Sequence, residues 1–254
     1  MALCAFDRSR AALVDRRRTV PILHAMCVLA IWLGLDPHTP LVVAANRDES
    51  YARPSAAPAE IEPGIIAGRD LEKGGTWLVL NRNGPFIAVT NRRSPPRTPT
   101  SFSRGQLALA TLRCRTLASV EAMVGRRVSE HQLGGFNLVA ILKGEGLCLH
   151  YDGALRRATF SPGVHVVSSD LDLDDPQMPE KLALDRFIAA HAGIPDEASL
   201  RTFLASHEGE RPVCKHGNGY GTVSSIILTV ADTGTRLLYA DGPPCRRPFV
   251  VQAG

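Results

Sequence analysis

The sequence predicts an α+β protein in which antiparallel sheets are layered with helices. Segments with the pattern of strands come in pairs joined by short turns, which is typical of antiparallel hairpins. Segments with helical spacing separate these pairs, whereas parallel winding would place a helix after each single strand. The chain has 254 residues, of which 44% are hydrophobic and 21% are charged, so it can bury a sizeable core.

Strands and turns dominate the first part of the chain. The segments with strand patterns are residues 27–35, 41–45, 65–67, 76–80 and 86–90. Residues 36–40, which end in a proline, predict a turn between the first two strands, and the proline-rich residues 51–63 are expected to form a loop. Asn83-Gly84 lies between the last two strands and predicts a tight hairpin turn with positive φ.

Helices separate the hairpins in the second part of the chain. Ser103 is expected to cap one helix, and a second helix is predicted to begin near Ser119. Apolar residues at helical spacing predict two more helices, at residues 179–192 and 198–205. The remaining predicted strands are residues 136–142, 147–151, 164–167, 222–230 and 236–240.

The charge distribution argues against a nucleic-acid partner. The net charge is +4, of which residues 1–25 carry +3. The rest of the chain is nearly neutral and lacks the basic stripe of a nucleic-acid-binding protein. Six cysteines without a Cys-x-x-Cys pair are typical of a reducing compartment, so we expect a cytoplasmic protein.

Residues 1–25 are expected to stand apart from the folded domain. Arg16-Arg17-Arg18 and the apolar run after it resemble a signal peptide, but a proline and a histidine interrupt the run and no cleavage motif follows it. The run is also too short and too broken for stable membrane insertion. We interpret residues 1–25 as a disordered leader or the product of a misassigned start upstream of Met26, and residues 26–254 as a single domain.

Cys27 follows Met26 directly and is the first candidate for chemistry. If translation begins at Met26 and the initiator Met is removed, Cys27 carries a free α-amine. An α-amine titrates near pH ~7.7–8 and can act as the general base for the thiol of its own residue. The alternative is that Cys27 is a small buried hydrophobe at the start of a strand, which is the usual role of a free cysteine.

Asn46-Arg47-Asp48-Glu49 places an amide, a cation and two carboxylates at the end of an apolar strand. Because side chains alternate along a strand, Asn46 and Asp48 are expected to share one face, and Arg47 and Glu49 the other. An inward Asp48 could hold the amine of Cys27, and an inward Arg47 could lower the pKa of the thiol. The alternative is a solvated strand end with a surface ion pair.

Two further polar strand ends complete the candidate site. Asn91 ends the strand after the Asn-Gly turn, where an amide can donate to an oxyanion or simply shape a turn. Gly74-Gly75-Thr76-Trp77 suits a close approach of the backbone to a ligand, or a tight bend. The chain contains no nucleotide-binding glycine motif, and the pairs Cys148-x-His150 and Cys214-x-His216 have no second ligand pair nearby in sequence, so we expect neither a bound cofactor nor a metal.

Several motifs in one order resemble the NRDE family, also called the transport and Golgi organisation protein two family. They are Met26-Cys27, Asn46-Arg47-Asp48-Glu49, Arg53-Pro54, Ala67-Gly68-Arg69-Asp70, Gly74-Gly75-Thr76-Trp77-Leu78 and Asn137-Leu138. The distal motifs Gly219-Tyr220-Gly221-Thr222-Val223-Ser224-Ser225 and Ala240-Asp241-Gly242-Pro243-Pro244 resemble its bacterial branch. The resemblance extends from Met26 to about Val250.

This resemblance implies a four-layer αββα sandwich like that of the N-terminal-nucleophile hydrolases. By similarity to cysteine amidases of that fold, Cys27 would be the nucleophile, Arg47 and Asp48 would flank it, and Asn91 would donate to the oxyanion. The remaining residues of these motifs that we expect to contact a substrate are Asn46, Glu49, Arg69, Gly75, Thr76 and Trp77.

The resemblance leaves two functions open. The first is an amide hydrolase that acts on a small molecule through Cys27. The second is a carrier that binds haem, or another apolar anionic metabolite, reversibly and without turnover, because some family members are linked to haem trafficking. No particular protein partner is indicated by the sequence.

Overall fold

The computed structural model describes residues 27–93, 102–169, 171–191, 193–209 and 211–253. The predicted leader lies outside the described residues. The strands are β1 (Val28–Asp36), β2 (Thr39–Ser50), β3 (Ser55–Glu62), β4 (Ile65–Asp70), β5 (Leu78–Asn81), β6 (Phe86–Asn91), β7 (Phe136–Leu142), β8 (Glu145–Tyr151), β9 (Leu155–Phe160), β10 (Gly163–Ser168), β11 (Tyr220–Ala231), β12 (Gly234–Ala240) and β13 (Val250–Ala253). The helices are α1 (Arg104–Ala110), α2 (Leu117–Glu130), α3 (Pro179–Ala190) and α4 (Glu197–Leu204).

Two antiparallel sheets form the centre of the molecule. The first has six strands in the order β10-β1-β2-β11-β12-β13, and the second has seven in the order β3-β4-β5-β6-β7-β8-β9. The strands of the second sheet follow each other along the chain, as in a meander. In the first sheet β1 and β2 lie between β10 and β11, which come later in the chain, so the start of β1 is buried between two neighbouring strands.

Three hydrophobic clusters define four layers. One cluster fills the space between the two sheets and includes Ile31, Val43 and Tyr239. A second packs α1 and α2 against the outer face of the seven-stranded sheet, and a third packs α3 and α4 against the six-stranded sheet. The predicted α+β class and its αββα layering are therefore confirmed.

Side chains cap the N-termini of α1 and α2. Ser103 caps α1 in a capping box with Gln106, as predicted. Thr116 caps α2, so this helix begins two residues before the predicted position, near Ser119. None of the helices in the described part of the chain is long and apolar enough to cross a membrane.

The edges of the sheets differ from the prediction. The expected loop at residues 51–63 contains strand β3, which tolerates Pro58 because it is an edge strand whose register shifts between Ala56 and Ala59. Strands β9 and β13 were also not predicted. Strand β9 carries exposed arginines instead of an alternating apolar pattern, which explains why periodicity does not reveal it.

The turn before β6 also differs from the prediction. Neither Asn83 nor Gly84 has positive φ. The connection between β5 and β6 has four residues, and the Gly84 amide donates to the Asn81 carbonyl at 3.1 Å, so an ordinary four-residue turn replaces the tight two-residue one. The tight turn with positive φ lies instead at Lys143-Gly144, between β7 and β8.

Candidate active site

A cavity of about 310 Å³ opens at the end of the sandwich where β1 begins and β4 and β6 end. On the side of the first sheet the cavity is lined by Cys27 and by the last residues of β2. On the side of the second sheet it is lined by the segment around Trp77 and by the end of β6. The lining residues are Cys27, Arg47, Asp48, Glu49, Arg53, Asp70, Lys73, Thr76, Trp77, Val89, Asn91, Phe102, Ser103, Arg104, Gly105 and Gly134. Residues that are far apart in sequence thus line one cavity.

Cys27 lies directly before β1, and its sulfur contacts the main chain of Asp48. The Asp48 amide donates to Cys27 Sγ at 3.4 Å, and the Asp48 carbonyl lies 3.6 Å from the same sulfur. Burial raises the pKa of the Cys27 thiol to about 11, and the Asp48 carboxylate adds to this rise, whereas the amide hydrogen bond and Arg47 act against it. The thiol is therefore neutral at physiological pH unless a base accepts its proton.

The Asp48 side chain forms a buried charge cluster behind the thiol. Its Oδ1 accepts from Thr222 Oγ1 at 2.7 Å, and its Oδ2 lies 3.1 Å from Lys215 Nζ. Lys215 Nζ also forms an ion pair with Glu180, a fully buried carboxylate whose Oε1 is 3.6 Å away. Burial raises the pKa of Asp48 to about 6, and Lys215 and Thr222 oppose the rise. The main chain of Asp48 also accepts from Tyr220 OH at 2.8 Å.

Arg47 faces the opposite side of β2 and lies against the second sheet. Its guanidinium stacks 4.5 Å from the centre of the Trp77 ring and donates to Ser55 Oγ at 3.4 Å. Among the described residues, no carboxylate forms an ion pair with Arg47. A buried guanidinium that lines a cavity and stacks on an aromatic ring suits recognition of an anionic group.

Glu49 belongs to a second charge cluster at the rim of the cavity. Arg53 binds Glu49 Oε2 at 3.2 Å and Asp70 Oδ2 at 2.5 Å. The Arg53 guanidinium and the backbone amides of residues 72 and 73 lower the pKa of Asp70, although burial opposes this. One cation and two carboxylates leave this cluster with a net charge of −1, and Asp70 also accepts from the backbone amides of Glu72 and Lys73 in the segment between β4 and β5.

The predicted alternation along β2 is confirmed by these contacts. Asn46, on the face of Asp48, donates through Nδ2 to the carbonyls of Leu204 and Val213 at 2.9 Å each. Its Oδ1 accepts from Ser225 Oγ at 2.6 Å. The Asn46 amide therefore joins β2 to neighbouring segments of the fold. The tetrad forms the end of the strand, as predicted, because β2 runs to Ser50.

The other predicted residues divide into those at the cavity and those away from it. Asn91, Thr76 and Trp77 line the cavity with Cys27. Arg69 is exposed and does not line it. Gly75 packs against Gly105, where an added Cβ would lie 2.4 Å from a backbone carbon, so the close approach is to helix α1. The binding and catalytic roles of all these residues stay predictions.

Sequence reasoning did not single out Lys215, Glu180 or Tyr220. Glu180 is in the first turn of α3 and reads as an ordinary exposed helix residue, and Lys215 is in a loop. Part of this cluster was visible in the sequence, because Tyr220 and Thr222 belong to one of the distal motifs that resemble the family. The expectation that Cys214-x-His216 has no further ligands nearby is wrong for the folded chain. His207 and Cys245, which are distant from the pair in sequence, lie beside it in the structure.

The comparisons with known proteins show the family of this chain. The family model described as Transport and Golgi organisation 2 matches residues 26–185. The chain belongs to this family. It is 29% identical to the human Transport and Golgi organization protein 2 homolog over an alignment of 252 positions, and the match covers 82% of this chain and 90% of the relative. The bovine homolog is 28% identical with the same coverage. Placement in a bacterial branch stays a prediction.

A solved structure shares the fold. It is the Caenorhabditis elegans N-acylethanolamine-hydrolyzing acid amidase ortholog, with a TM-score of 0.52 and 11% sequence identity, and the match covers 80% of this chain and 92% of that one. At this identity the similarity concerns the fold alone. It supports the architecture expected from the family resemblance.

Proposed function

We propose that this family member is a cytoplasmic amide hydrolase in which Cys27 acts as an N-terminal nucleophile. The observation that carries the proposal is the position of the Cys27 sulfur at the wall of a cavity that Arg47 and Asn91 also line. An amidase with the same fold makes amide hydrolysis the reaction to test first. The five cysteines of the described chain are free thiols, in keeping with a reducing compartment.

The thiol needs a base that the neighbouring side chains do not supply. The described hydrogen-bond partners of Cys27 Sγ are main-chain atoms of Asp48, and the Asp48 carboxylate is engaged by Thr222 and Lys215. A thiol with a pKa of about 11 has roughly one molecule in 10⁴ ionised at pH 7. An α-amine on Cys27 itself would be the base, which requires that the chain be cleaved or started before this residue.

The reaction follows from this assignment. The amine accepts the thiol proton while sulfur attacks the amide carbonyl, and Asn91 stabilises the oxyanion. The proton passes to the leaving amine as the C–N bond breaks, which leaves a thioester on Cys27. Water then attacks the thioester, and the acid product and the free thiol are released.

The walls of the cavity indicate the class of substrate. Trp77 and Phe102 are aromatic, whereas Arg47 and Lys73 are cationic. The volume of about 310 Å³ is near the lower end of the range for small-molecule sites. A small amide with an apolar part and an anionic group fits these features.

The test compares two forms of the protein, one that begins at Cys27 and one in which residues precede it. Each is incubated with a panel of small N-acyl amides that carry a carboxylate, and product release and the intact mass are measured. We expect turnover and an acyl adduct on Cys27 only in the form with a free amine. Cys27→Ala should abolish both, whereas Cys114→Ser, a buried cysteine away from the cavity, should retain both. Turnover by Cys27→Ala would refute the mechanism.

The same cavity also suits a carrier of an apolar anionic ligand such as haem. Arg47 stacked on Trp77 offers both a cation and an aromatic face to such a ligand. A carrier would shift the Soret band of haem at micromolar concentration and would do so equally in the Cys27→Ala variant. A hydrolase without carrier function would give no such shift.

A further inference from the structure

Four side chains that commonly bind metals converge at a second place in the molecule. They are His207 after α4, Cys214 and His216 before β11, and Cys245 after β12. Their donor atoms all lie within 4.8 Å of one another. Three separate segments of the chain thus supply two imidazoles and two thiols to one point.

Four of the six distances between these atoms are close to the edges of a metal-centred tetrahedron. With metal–sulfur bonds of about 2.3 Å and metal–nitrogen bonds of about 2.0–2.1 Å, the edges are about 3.8 Å for two sulfurs, 3.3 Å for two nitrogens and 3.6 Å for a mixed pair. Cys214 Sγ lies 3.7 Å from Cys245 Sγ, and His207 Nε2 lies 3.2 Å from His216 Nε2. Two of the four mixed distances are 3.2 Å from His216 Nε2 to Cys245 Sγ and 3.7 Å from His216 Nε2 to Cys214 Sγ, and the two from His207 lie within 4.8 Å.

Hydrogen bonding alone does not account for this convergence. His216 Nε2 is close to His207 Nε2, Cys245 Sγ and Cys214 Sγ at the same time. A ring nitrogen of neutral histidine has one proton or one lone pair, so it makes one good hydrogen bond in this plane. A metal ion at the centre satisfies all four donor atoms together.

We propose that His207, Cys214, His216 and Cys245 form a structural zinc site. Two thiolates and two neutral imidazoles are a common ligand set for structural zinc, and they balance the charge of Zn²⁺. Binding forms four metal–ligand bonds and releases the two thiol protons to solvent, with no change of oxidation state. Four protein ligands leave no open position, so this zinc holds the fold and does not catalyse a reaction.

Two other chemistries of this ligand set fit less well. In a Rieske-type cluster the cysteines bind one iron and the histidines the other. Here His216 Nε2 is nearer to Cys245 Sγ than the two sulfurs are to each other, which indicates a single centre. A disulfide needs the sulfurs about 2.05 Å apart, well short of the 3.7 Å observed.

The site connects to the candidate active site through Lys215, which lies between two of the ligands. Lys215 Nζ binds the Asp48 carboxylate, and its backbone amide donates to Thr222 Oγ1 at 2.9 Å. Zinc bound to Cys214 and His216 would fix this segment from both sides. Lys215 would then keep its position beside Asp48.

The test measures metal in the full chain. We expect roughly one zinc per chain by elemental analysis after purification in reducing buffer without chelator. Exchange with Co²⁺ should give visible d–d bands and a sulfur-to-cobalt charge-transfer band, because Co²⁺ in a tetrahedral thiolate site has these signatures. Cys214→Ser, Cys245→Ser and His207→Ala should each reduce bound zinc at least fivefold. The controls are Cys148→Ala, from the similar Cys-x-His pair, and Cys114→Ser, which should retain it.

The outcomes separate this proposal from the proposed function. Cys27→Ala removes the nucleophile and should leave the zinc content unchanged. His207 and Cys245 are exposed, so their variants are expected to fold even without metal, which circular dichroism can check. The absence of zinc and of cobalt bands, retention of metal by Cys245→Ser and His207→Ala, or a Cys214–Cys245 disulfide in the protein as purified would each overturn the proposal.

Discussion

Replacing Lys215 with methionine should destabilise the fold, and the effect should be larger at pH 8 than at pH 5.5. Lys215 Nζ lies 3.1 Å from Asp48 and 3.6 Å from Glu180, and both carboxylates are fully buried. Removing one partner from a buried ion pair costs about 3–5 kcal/mol. We expect a loss of this size in the free energy of unfolding at pH 8.

The pH dependence follows from the Asp48 carboxyl, whose pKa is raised by burial to about 6. A carboxyl with a raised pKa in the folded state contributes stability that is present below its unfolded pKa and is lost as the pH rises through the folded value. Between pH 5.5 and 8 the parent protein loses about 0.8 kcal/mol through this group. In the variant without Lys215, Asp48 can stay protonated in the folded state over this whole pH range. The free energy of unfolding of the variant then falls by up to about 3.4 kcal/mol between pH 5.5 and 8.

The variant's deficit should therefore be smaller at pH 5.5 than at pH 8, by up to about 2.6 kcal/mol. Urea unfolding followed by the fluorescence of Trp32 and Trp77 measures it, and effects of pH shared by both proteins cancel in the difference. The control is Lys73→Met, because Lys73 pairs with Glu72 at 3.5 Å in an exposed position and should change stability by less than about 1 kcal/mol at either pH. An equal deficit at both pH values would refute the reasoning.

Three other substitutions test the packing of the helices and sheets. Gly75→Ala should lower the free energy of unfolding by about 2 kcal/mol, because its Cβ would lie 2.4 Å from the backbone of Gly105, whereas Gly125→Ala, in open space on α2, should raise it by about 0.5–1 kcal/mol. Thermal unfolding of the pair checks the sign of each effect. Asn137→Ala should cost about 3 kcal/mol, because Asn137 Nδ2 donates to Thr90 Oγ1 and to the Ser168 carbonyl of the other sheet. Urea unfolding measures this loss, and a change below 1 kcal/mol would contradict it.

The layered fold could be predicted because its signals are local. Alternating apolar residues and paired turns mark most strands, and Ser103 marks the start of α1 with a capping box. The edges were missed for a physical reason. An edge strand such as β3 or β9 has one neighbour and little buried surface, so its sequence tolerates Pro58 or a run of arginines.

The candidate site was predicted in part, for a similar reason. Cys27, Arg47 and Asp48 are marked by polar residues in or beside strands that are otherwise apolar, which is unusual enough to be visible in one sequence. Lys215 and Glu180 carry no such mark, because a lysine in a loop and a glutamate in the first turn of a helix are ordinary. Only the crossing of β11 beside β2 brings Lys215 to Asp48.

Asp48 joins the two sites that the structure indicates. Its main chain holds the Cys27 sulfur, while its side chain reaches Lys215, whose neighbours in sequence are Cys214 and His216. Loss of metal from these ligands would free the Lys215 segment before it disturbed the sheets, because both ligands lie outside the strands. The expected first consequence of metal removal is therefore a buried Asp48 carboxylate without its cation. In the metal-free protein, the stability difference between the parent and Lys215→Met should shrink, and this coupling distinguishes a metal site that supports Asp48 from one that only tightens a loop.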